Sequence, residues 1–178
     1  MNPGPMQTRM AVAADAVAIA NLHAESWRVA YRGMLSDEYL DKHVVGERTA
    51  LWQERFRVPA ANQYVLVAEI DGAMTGFACA YGGEDQEWGS FLDNLHVADA
   101  FKRRGIGAEL MRQVAQWSAG RYPGAGMYLW VLESNTPAMR FYEKLGGVRS
   151  GEGVWTPSDG GNYRKYRYAW SSLDPLRA

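Results

Sequence analysis

The chain has 178 residues, 47% of them hydrophobic, enough for one domain that buries roughly 70% of its unfolded surface without covalent staples. Its 19 basic and 20 acidic residues leave a formal net charge of -1, so nothing in the charge balance calls for a nucleic-acid partner. No apolar run approaches bilayer-spanning length, the only cysteine, Cys79, excludes an intrachain disulfide, and the opening Met1-Asn2-Pro3-Gly4-Pro5 does not read as a signal peptide. The expectation is a single domain over 1–178 with flexible tails at 1–7 and 174–178, in the cytoplasm and without a membrane partner.

In chain order, residues 8–13 suit a short strand and Asp15 suits the N-cap of a helix. Ile19, Leu22, His23, Trp27 and Tyr31 recur near helical spacing, and Arg32-Gly33 marks the end. Trp27 and Tyr31 read as core anchors whose polar tips also suit the wall of a ligand cleft. His23 reads as a packed or surface histidine. Ser36 suits the cap of a short turn. A second helix is expected over 46–57, with Leu51, Trp52 and Phe56 as its apolar stripe, broken by Pro59. Residues 64–70 are strand-prone, Asp71-Gly72 is a two-residue hairpin turn, and 73–81 is the returning strand. Cys79 lies in that strand and reads as a small core residue. Residues 82–89 are expected to be a loop, with Glu84, Asp85 and Glu87 either solvated or helping to attract a cationic amine.

The stretch 91–120 organises the rest. Phe91-Leu92-Asp93-Asn94-Leu95-His96-Val97 reads as a strand, and residues 98–101 as a turn. Lys102-Arg103-Arg104-Gly105-Ile106-Gly107 reads as a basic loop, and Leu110, Met111, Val114, Ala115 and Trp117 as the apolar stripe of a helix. Backbone N–H groups at such a loop and helix start have no intrahelical partner and can hold phosphate oxygens. Gly105 and Gly107 let a ligand approach the backbone. The spacing is neither that of a P-loop nor the dinucleotide fingerprint, and an ordinary strand–helix connection also fits this loop taken alone.

Beyond a loop at 120–126, Met127-Tyr128-Leu129-Trp130-Val131-Leu132 is nearly continuously apolar, as in a strand buried on both faces. A short helix follows, capped by Ser134 or Asn135 and stopped by Gly146, with Ala138, Phe141, Tyr142 and Leu145 at helical spacing. Residues 148–155 read as a strand, 156–162 as a turn, and 163–170 as the closing strand. Alternation there puts Tyr166, Tyr168 and Trp170 on one face and Lys165 and Arg167 on the other.

Two of these motifs carry a resemblance. The loop at 102–107 resembles the acyl-CoA pyrophosphate loop of the GNAT superfamily of N-acetyltransferases, Gln/Arg-x-x-Gly-x-Gly/Ala after a strand, with Lys102 departing from the first position. Asn135-Thr136-Pro137-Ala138-Met139-Arg140-Phe141-Tyr142-Glu143-Lys144-Leu145-Gly146 resembles the family's Asn-x-x-Ala-x-x-Phe-Tyr-x-x-x-Gly segment nearly position for position, and is the more specific match. The two stand in the right order, separated by a helix and a buried strand. The string at 26–36 also looks like the opening of many bacterial members.

The resemblance implies an α/β fold: a mixed, strongly twisted sheet with splayed central parallel strands, the acyl-CoA N-acyltransferase fold. It implies acetyl-CoA as acyl donor and no metal. The pantetheine arm would lie along the splayed strand near Leu95, His96 and Val97. The pyrophosphate would lie on Lys102, Arg103, Arg104, Gly105, Ile106, Gly107 and Ala108, with Asn135, Ala138, Phe141 and Tyr142 completing the cofactor set. The implied reaction is acetyl transfer to a primary amine of a small molecule or peptide by direct attack in a ternary complex. A non-catalytic acyl-CoA or metabolite sensor is the alternative, and a homodimer is a further expectation, through aromatic surface near Trp155 or Trp170.

Within that chemistry Tyr142 is the expected acid to the departing CoA sulfur, since an ordinary phenol pKa of about 10 keeps it protonated at neutral pH. Asp93, His96 and Glu87 are the candidate bases by position. Asp93 is narrowly preferred because a carboxylate also binds the ammonium form, although His96, with an ordinary pKa of about 6.5, is closer to neutrality. Alternation puts Asp93, Leu95 and Val97 on one face and Asn94 and His96 on the other, unless a bulge intervenes. Trp27, Tyr31 and Asp93 form the expected acceptor-binding set.

Overall fold

In a computed structural model, residues 4–157 and 161–177 are described. Seven strands hydrogen-bond in the order β1-β2-β3-β4-β5-β7-β6, numbered along the chain. The sheet is mixed: β4 and β5 run parallel, while β1–β2, β5–β7 and β6–β7 are antiparallel. The chain divides into two compact units, Met1–Cys79 with Asn94–Leu110, and Ala80–Asp93 with Met111–Ala178.

In the first unit, β1 (Gln7–Met10) pairs with β2 (Gln63–Ile70), and α1 (Ala16–Ala30) follows a short 3-10 turn at Ala13–Asp15. Asp15 does not cap α1 as expected. Its buried carboxylate reaches back to the N–H of Val12 at 2.8 Å and takes both nitrogens of the Arg9 fork at 2.8 and 2.9 Å. That Arg9 pair holds the Asp15 pKa below the usual carboxylate range, and it joins the strand to the helix start. At the far end of α1, Gly33 (φ +80) closes the helix where the sequence places the stop.

Ser36 Oγ accepts from Tyr39 N at 3.2 Å, and a wide π-type turn at Tyr39–His43 runs straight into α2 (Val44–Arg57). The second helix therefore starts two residues earlier than its apolar spacing indicates. Leu40 and Val44, both fully buried, explain why. Between β2 and β3 (Ala73–Asp85), Asp71 (φ 51) and Gly72 (φ 76) both take the left-handed region that a two-residue hairpin turn demands. The core of this unit is built on Ile19, Leu40, Trp52, Leu66 and Phe77, each at most 2% exposed.

In the second unit β3 runs on to Asp85 and β4 (Gly89–Val97) begins after three residues, so most of the expected 82–89 loop is strand. Gly82 is glycine here because the Tyr122 ring occupies the space a Cβ would need. Asp85 Oδ1 accepts from the N–H groups of Glu87 and Trp88 at 2.8 and 2.9 Å, pinning the tight turn. Ser90 and Ser118, both fully buried, share a hydrogen bond at 2.6 Å. They tie the start of β4 to α3 (Ile106–Arg121).

The strand β5 (Met127–Leu132) is buried at Met127, Leu129, Val131 and Leu132, but Tyr128 and Trp130 are only half-buried. One face is thus not core, contrary to the expectation of burial on both faces. Its aromatics carry other partners: Phe91 stacks on Tyr128 at 5.1 Å, and Lys165 Nζ lies 4.5 Å from the Trp130 ring.

The short helix α4 (Thr136–Lys144), the hairpin strands β6 (Val148–Trp155) and β7 (Tyr163–Trp170), and a final turn α5 (Asp174–Arg177) complete the unit. Leu176 of that turn is buried. Part of the expected 156–162 turn lies outside the described residues.

Candidate active site

The chain leaves β4 through Ala98, whose N–H donates to Thr75 O at 2.9 Å, and makes a 3-10 turn at Asp99–Phe101. Arg103 (φ 64) and Gly105 (φ 82) are both left-handed, so the loop curls before α3 begins at Ile106. The first helical bond runs from Glu109 N to Gly105 O at 3.0 Å. The N–H groups of Gly105, Ile106, Gly107 and Ala108 therefore precede the helical ladder and have no i−4 acceptor.

A Cβ at Gly105 would meet nothing within 4 Å, so the space beside this residue is open. Lys102 pairs with Asp99 at 3.0 Å, the Arg104 guanidinium lies 5.1 Å from the Phe101 ring, and Arg103 is exposed. An open row of N–H groups at a helix start, ringed by three cations, fits a pyrophosphate. The left-handed Arg103 had no signal in the sequence, because a non-glycine residue there is uncommon.

Among the described residues β4 and β5 register only at Ser90↔Met127 and Phe91↔Tyr128, whereas β5 and β7 pair from Met127↔Trp170 to Leu132↔Lys165. The paired stretch of β4 and β5 is thus short, and it lies at the start of both strands. The C-terminal ends of parallel strands are where α/β sheets bind ligands.

Just past the C-terminal end of β5, Asn135 caps α4: its Oδ1 accepts from Ala138 N at 3.3 Å, with Pro137 in the first turn. Gly146 (φ +84) ends the helix, and Gly147 N returns to Tyr142 O at 2.9 Å. Tyr142 is half-buried, its ring 5.3 Å from Phe141, 6.3 Å from Tyr168 and 6.2 Å from Trp170. Tyr168 donates to Glu143 at 2.6 Å, and burial with that carboxylate pushes its pKa up to about 12. A packed, hydrogen-bonded neighbour of this kind fixes the Tyr142 ring plane. Ala138 and Phe141 are half-buried on the same helix.

In the first unit, Asn94 and His96 share one face of β4, as alternation requires. Asn94 Oδ1 accepts from Arg55 at 3.0 Å, and the His96 ring lies 5.1 Å from Phe77 and 4.6 Å from His23. His23 is 1% exposed and accepts from Trp52 Nε1 at 3.1 Å. Burial first, then the positive charges nearby, hold both imidazoles neutral: His23 far below its ordinary value and His96 at about 4. His96 is therefore no closer to neutrality than a carboxylate.

Trp27 and Tyr31 stack edge to face at 5.1 Å beside this cluster, and burial raises Tyr31 to about 12. Leu95 and Val97 are half-buried. In the second unit, Asp93 is half-buried and Glu87 is exposed in the turn that Asp85 pins. The sequence reasoning passed over Arg48, Arg55 and Asn94. The i, i+4, i+7 spacing of Arg48, Trp52 and Arg55 places both arginines on the buried face of α2, a signal that was available.

Residues 18–147 match the family model described as the acetyltransferase (GNAT) family. A probable N-acetyltransferase of Mycobacterium tuberculosis is 30% identical over 181 residues, covering 95% of this chain and 98% of that protein. Among solved structures, the PaiA N-acetyltransferase of Thermoplasma acidophilum in complex with coenzyme A superposes with a TM-score of 0.70 at 18% identity, covering 93% of this chain and 99% of that one. The YncA protein of Salmonella typhimurium, a putative acetyltransferase solved with acetyl-CoA, gives 0.65 at 20% identity, over 96% and 95%.

The chain belongs to the acetyltransferase (GNAT) family. It is an acetyl-CoA-dependent N-acetyltransferase with the acyl-CoA N-acyltransferase fold, and acetyl-CoA is its acyl donor. Its acceptor is an amine, and among the described residues no helix is long and apolar enough to cross a membrane.

Proposed function

We propose that the chain acetylates a primary amine of a small molecule or peptide, in the cytoplasm, by direct attack of the amine on the donor with no acyl-enzyme. The observation that carries this is the state of Cys79. The only thiol in the sequence is 0% exposed, inside β3, and so is not placed to take an acetyl group.

In this account the N–H groups of residues 105–108 and the charges of Lys102, Arg103 and Arg104 hold the pyrophosphate. The backbone of Leu95, His96 and Val97 and the amide of Asn135 hold the pantetheine arm, with Ala138 and Phe141 against it. The bound donor supplies a thioester carbonyl. Tyr142 donates its phenolic proton toward the departing sulfur. Asp93 binds the ammonium form of the acceptor and takes its proton, with His96 as the second candidate. Glu87 is the weakest base, because it is exposed in a turn whose hydrogen bonds come from its own backbone N–H. Trp27 and Tyr31 wall the acceptor.

A homodimer would use the β6 edge, where Val148 is 64% and Val154 62% exposed, rather than Trp170, which is buried. Incubation with acetyl-CoA and an amine panel, read by thiol release and by the mass of the N-acetylated product, tests the reading. At least one amine class should be turned over. Protein that binds acetyl-CoA and acetylates none of the panel overturns it.

A further inference from the structure

Two buried donors in the first unit have no hydrogen-bond partner among the described residues: Nε2 of His23 and Nε of Arg48. Trp52 Nε1–H donates to His23 Nδ1, so the neutral ring carries its hydrogen on Nε2. That N–H is an orphan in a side chain 1% exposed.

Arg48 is the stranger case. Its side chain is 17% exposed, and its guanidinium carbon lies over Trp27, 4.4 Å from the centroid. Its nearest carboxylate oxygen, on Glu47, stands at 3.7 Å and already accepts from Tyr39 at 2.7 Å. Arg55, two turns along the same face of α2, shows the ordinary solution, since it stacks on Trp52 and bonds Asn94 Oδ1 at 3.0 Å. A largely buried arginine without a hydrogen-bonded anion is costly to the fold.

Both side chains pack against one residue: the His23 and Trp27 ring centroids are 5.5 Å apart, and Arg48 Cζ lies 4.4 Å from the Trp27 centroid. Trp27 also meets Tyr31. The complement to two unpaired donors and a positive charge is an acceptor-rich anion. A planar carboxylate matches the guanidinium fork in both atoms.

We propose that Arg48, with the Nε2–H of His23 as second donor, forms an anion subsite beside Trp27, and that the acceptor amine therefore carries a carboxylate. The inference rests on Trp27 and Tyr31 walling the acceptor, as proposed above. It reverses the hint of the acidic residues Glu84, Asp85 and Glu87. A polyamine would leave Arg48 with only the Glu47 carboxylate at 3.7 Å and add positive charge beside it.

The test compares matched amines: L-amino acids against their carboxamides, O-phosphoethanolamine against ethanolamine, and spermidine. The wild-type enzyme should prefer each carboxylate over its amide by about tenfold or more in kcat/KM. R48Q should bring that ratio close to one, and R48K, which keeps the charge without the fork, should fall between. A preference for spermidine or for the amides overturns the subsite, as does R48Q slowing both members of a pair equally. A preference for O-phosphoethanolamine over every amino acid overturns the carboxylate assignment. Calorimetry with N-acetyl-L-amino acids added to the CoA-saturated protein decides the matter without turnover. Binding that R48Q weakens about tenfold or more supports the subsite, and equal binding by both proteins overturns it. If no amine is acetylated, the transfer reading fails while this binding comparison still tells whether the subsite exists.

Discussion

The indole N–H of Trp52 donates to Nδ1 of His23 at 3.1 Å, and His96 sits 4.6 Å from the same imidazole, ring to ring. Two neutral histidines are thus built into the contact between α1, α2 and β4, where burial first, and then positive charges that include Arg48, disfavour their charged forms.

This arrangement makes stability depend on pH in a window where ordinary carboxylates are silent. Both folded pKa values are depressed, so the unfolded chain binds more protons below about pH 6.5. The stabilisation is complete above that value and is lost as pH falls toward 4, the folded value of His96. Between about pH 7 and 5 the loss should be at most roughly 2 kcal/mol for each histidine. Urea midpoints measured across that range should fall, and His96→Gln should remove about half of the fall. Superimposable wild-type midpoints at the two ends would contradict the neutral pair.

Gly107 is the second residue of α3, between N–H groups that precede the helical ladder. Gly107→Val places a branched side chain on the surface assigned to the pyrophosphate. The variant should remain folded and lose CoA affinity by about a hundredfold or more. Calorimetry on the folded variant checks this, and unchanged affinity would move the pyrophosphate elsewhere.

Tyr142 is held by Phe141, Tyr168 and Trp170, so removing its hydroxyl leaves the ring's packing intact. Tyr142→Phe should lower kcat by roughly 10- to 1000-fold with little change in CoA affinity. A variant with wild-type kcat and a weakened fold would make Tyr142 a packing residue only.

For the base, burial removes the advantage an ordinary imidazole would have, since His96 is brought down to about 4. Asp93→Asn should reduce kcat/KM most at low pH, with partial recovery as free amine accumulates toward about pH 10. A loss of equal size at every pH would make Asp93 a binding or structural residue. Wild-type activity in Asp93→Asn, with the pH-dependent defect appearing in His96→Gln, would transfer the role.

What could be read from the sequence follows the range of the forces involved. Asp71-Gly72 and Gly146 declare local backbone geometry, and the strand at Met127–Leu132 declares itself by composition, because each signal is confined to neighbours in the chain. The strand through Gly82 was hidden because a glycine there reads as a loop residue, and what calls for that glycine is the Tyr122 ring, forty residues later. Asp15 was mistaken for a helix cap because Arg9 and Val12 claim its carboxylate instead. The left-handed turn of the 102–107 loop was legible at Gly105, but not at Arg103, whose left-handed backbone has no residue-type signature. Helical spacing puts Arg48 on the buried face of α2, but what singles it out there is an Nε without a hydrogen-bond partner, and only packing reveals that.

The central claim is direct transfer to the amine, and initial-rate kinetics with both substrates varied tests it most directly. Double-reciprocal lines should intersect, and protein incubated with acetyl-CoA alone should carry no acetyl group by mass, consistent with a Cys79 that is 0% exposed. Parallel lines together with an acetylated protein that passes its acetyl group to the amine would contradict the account.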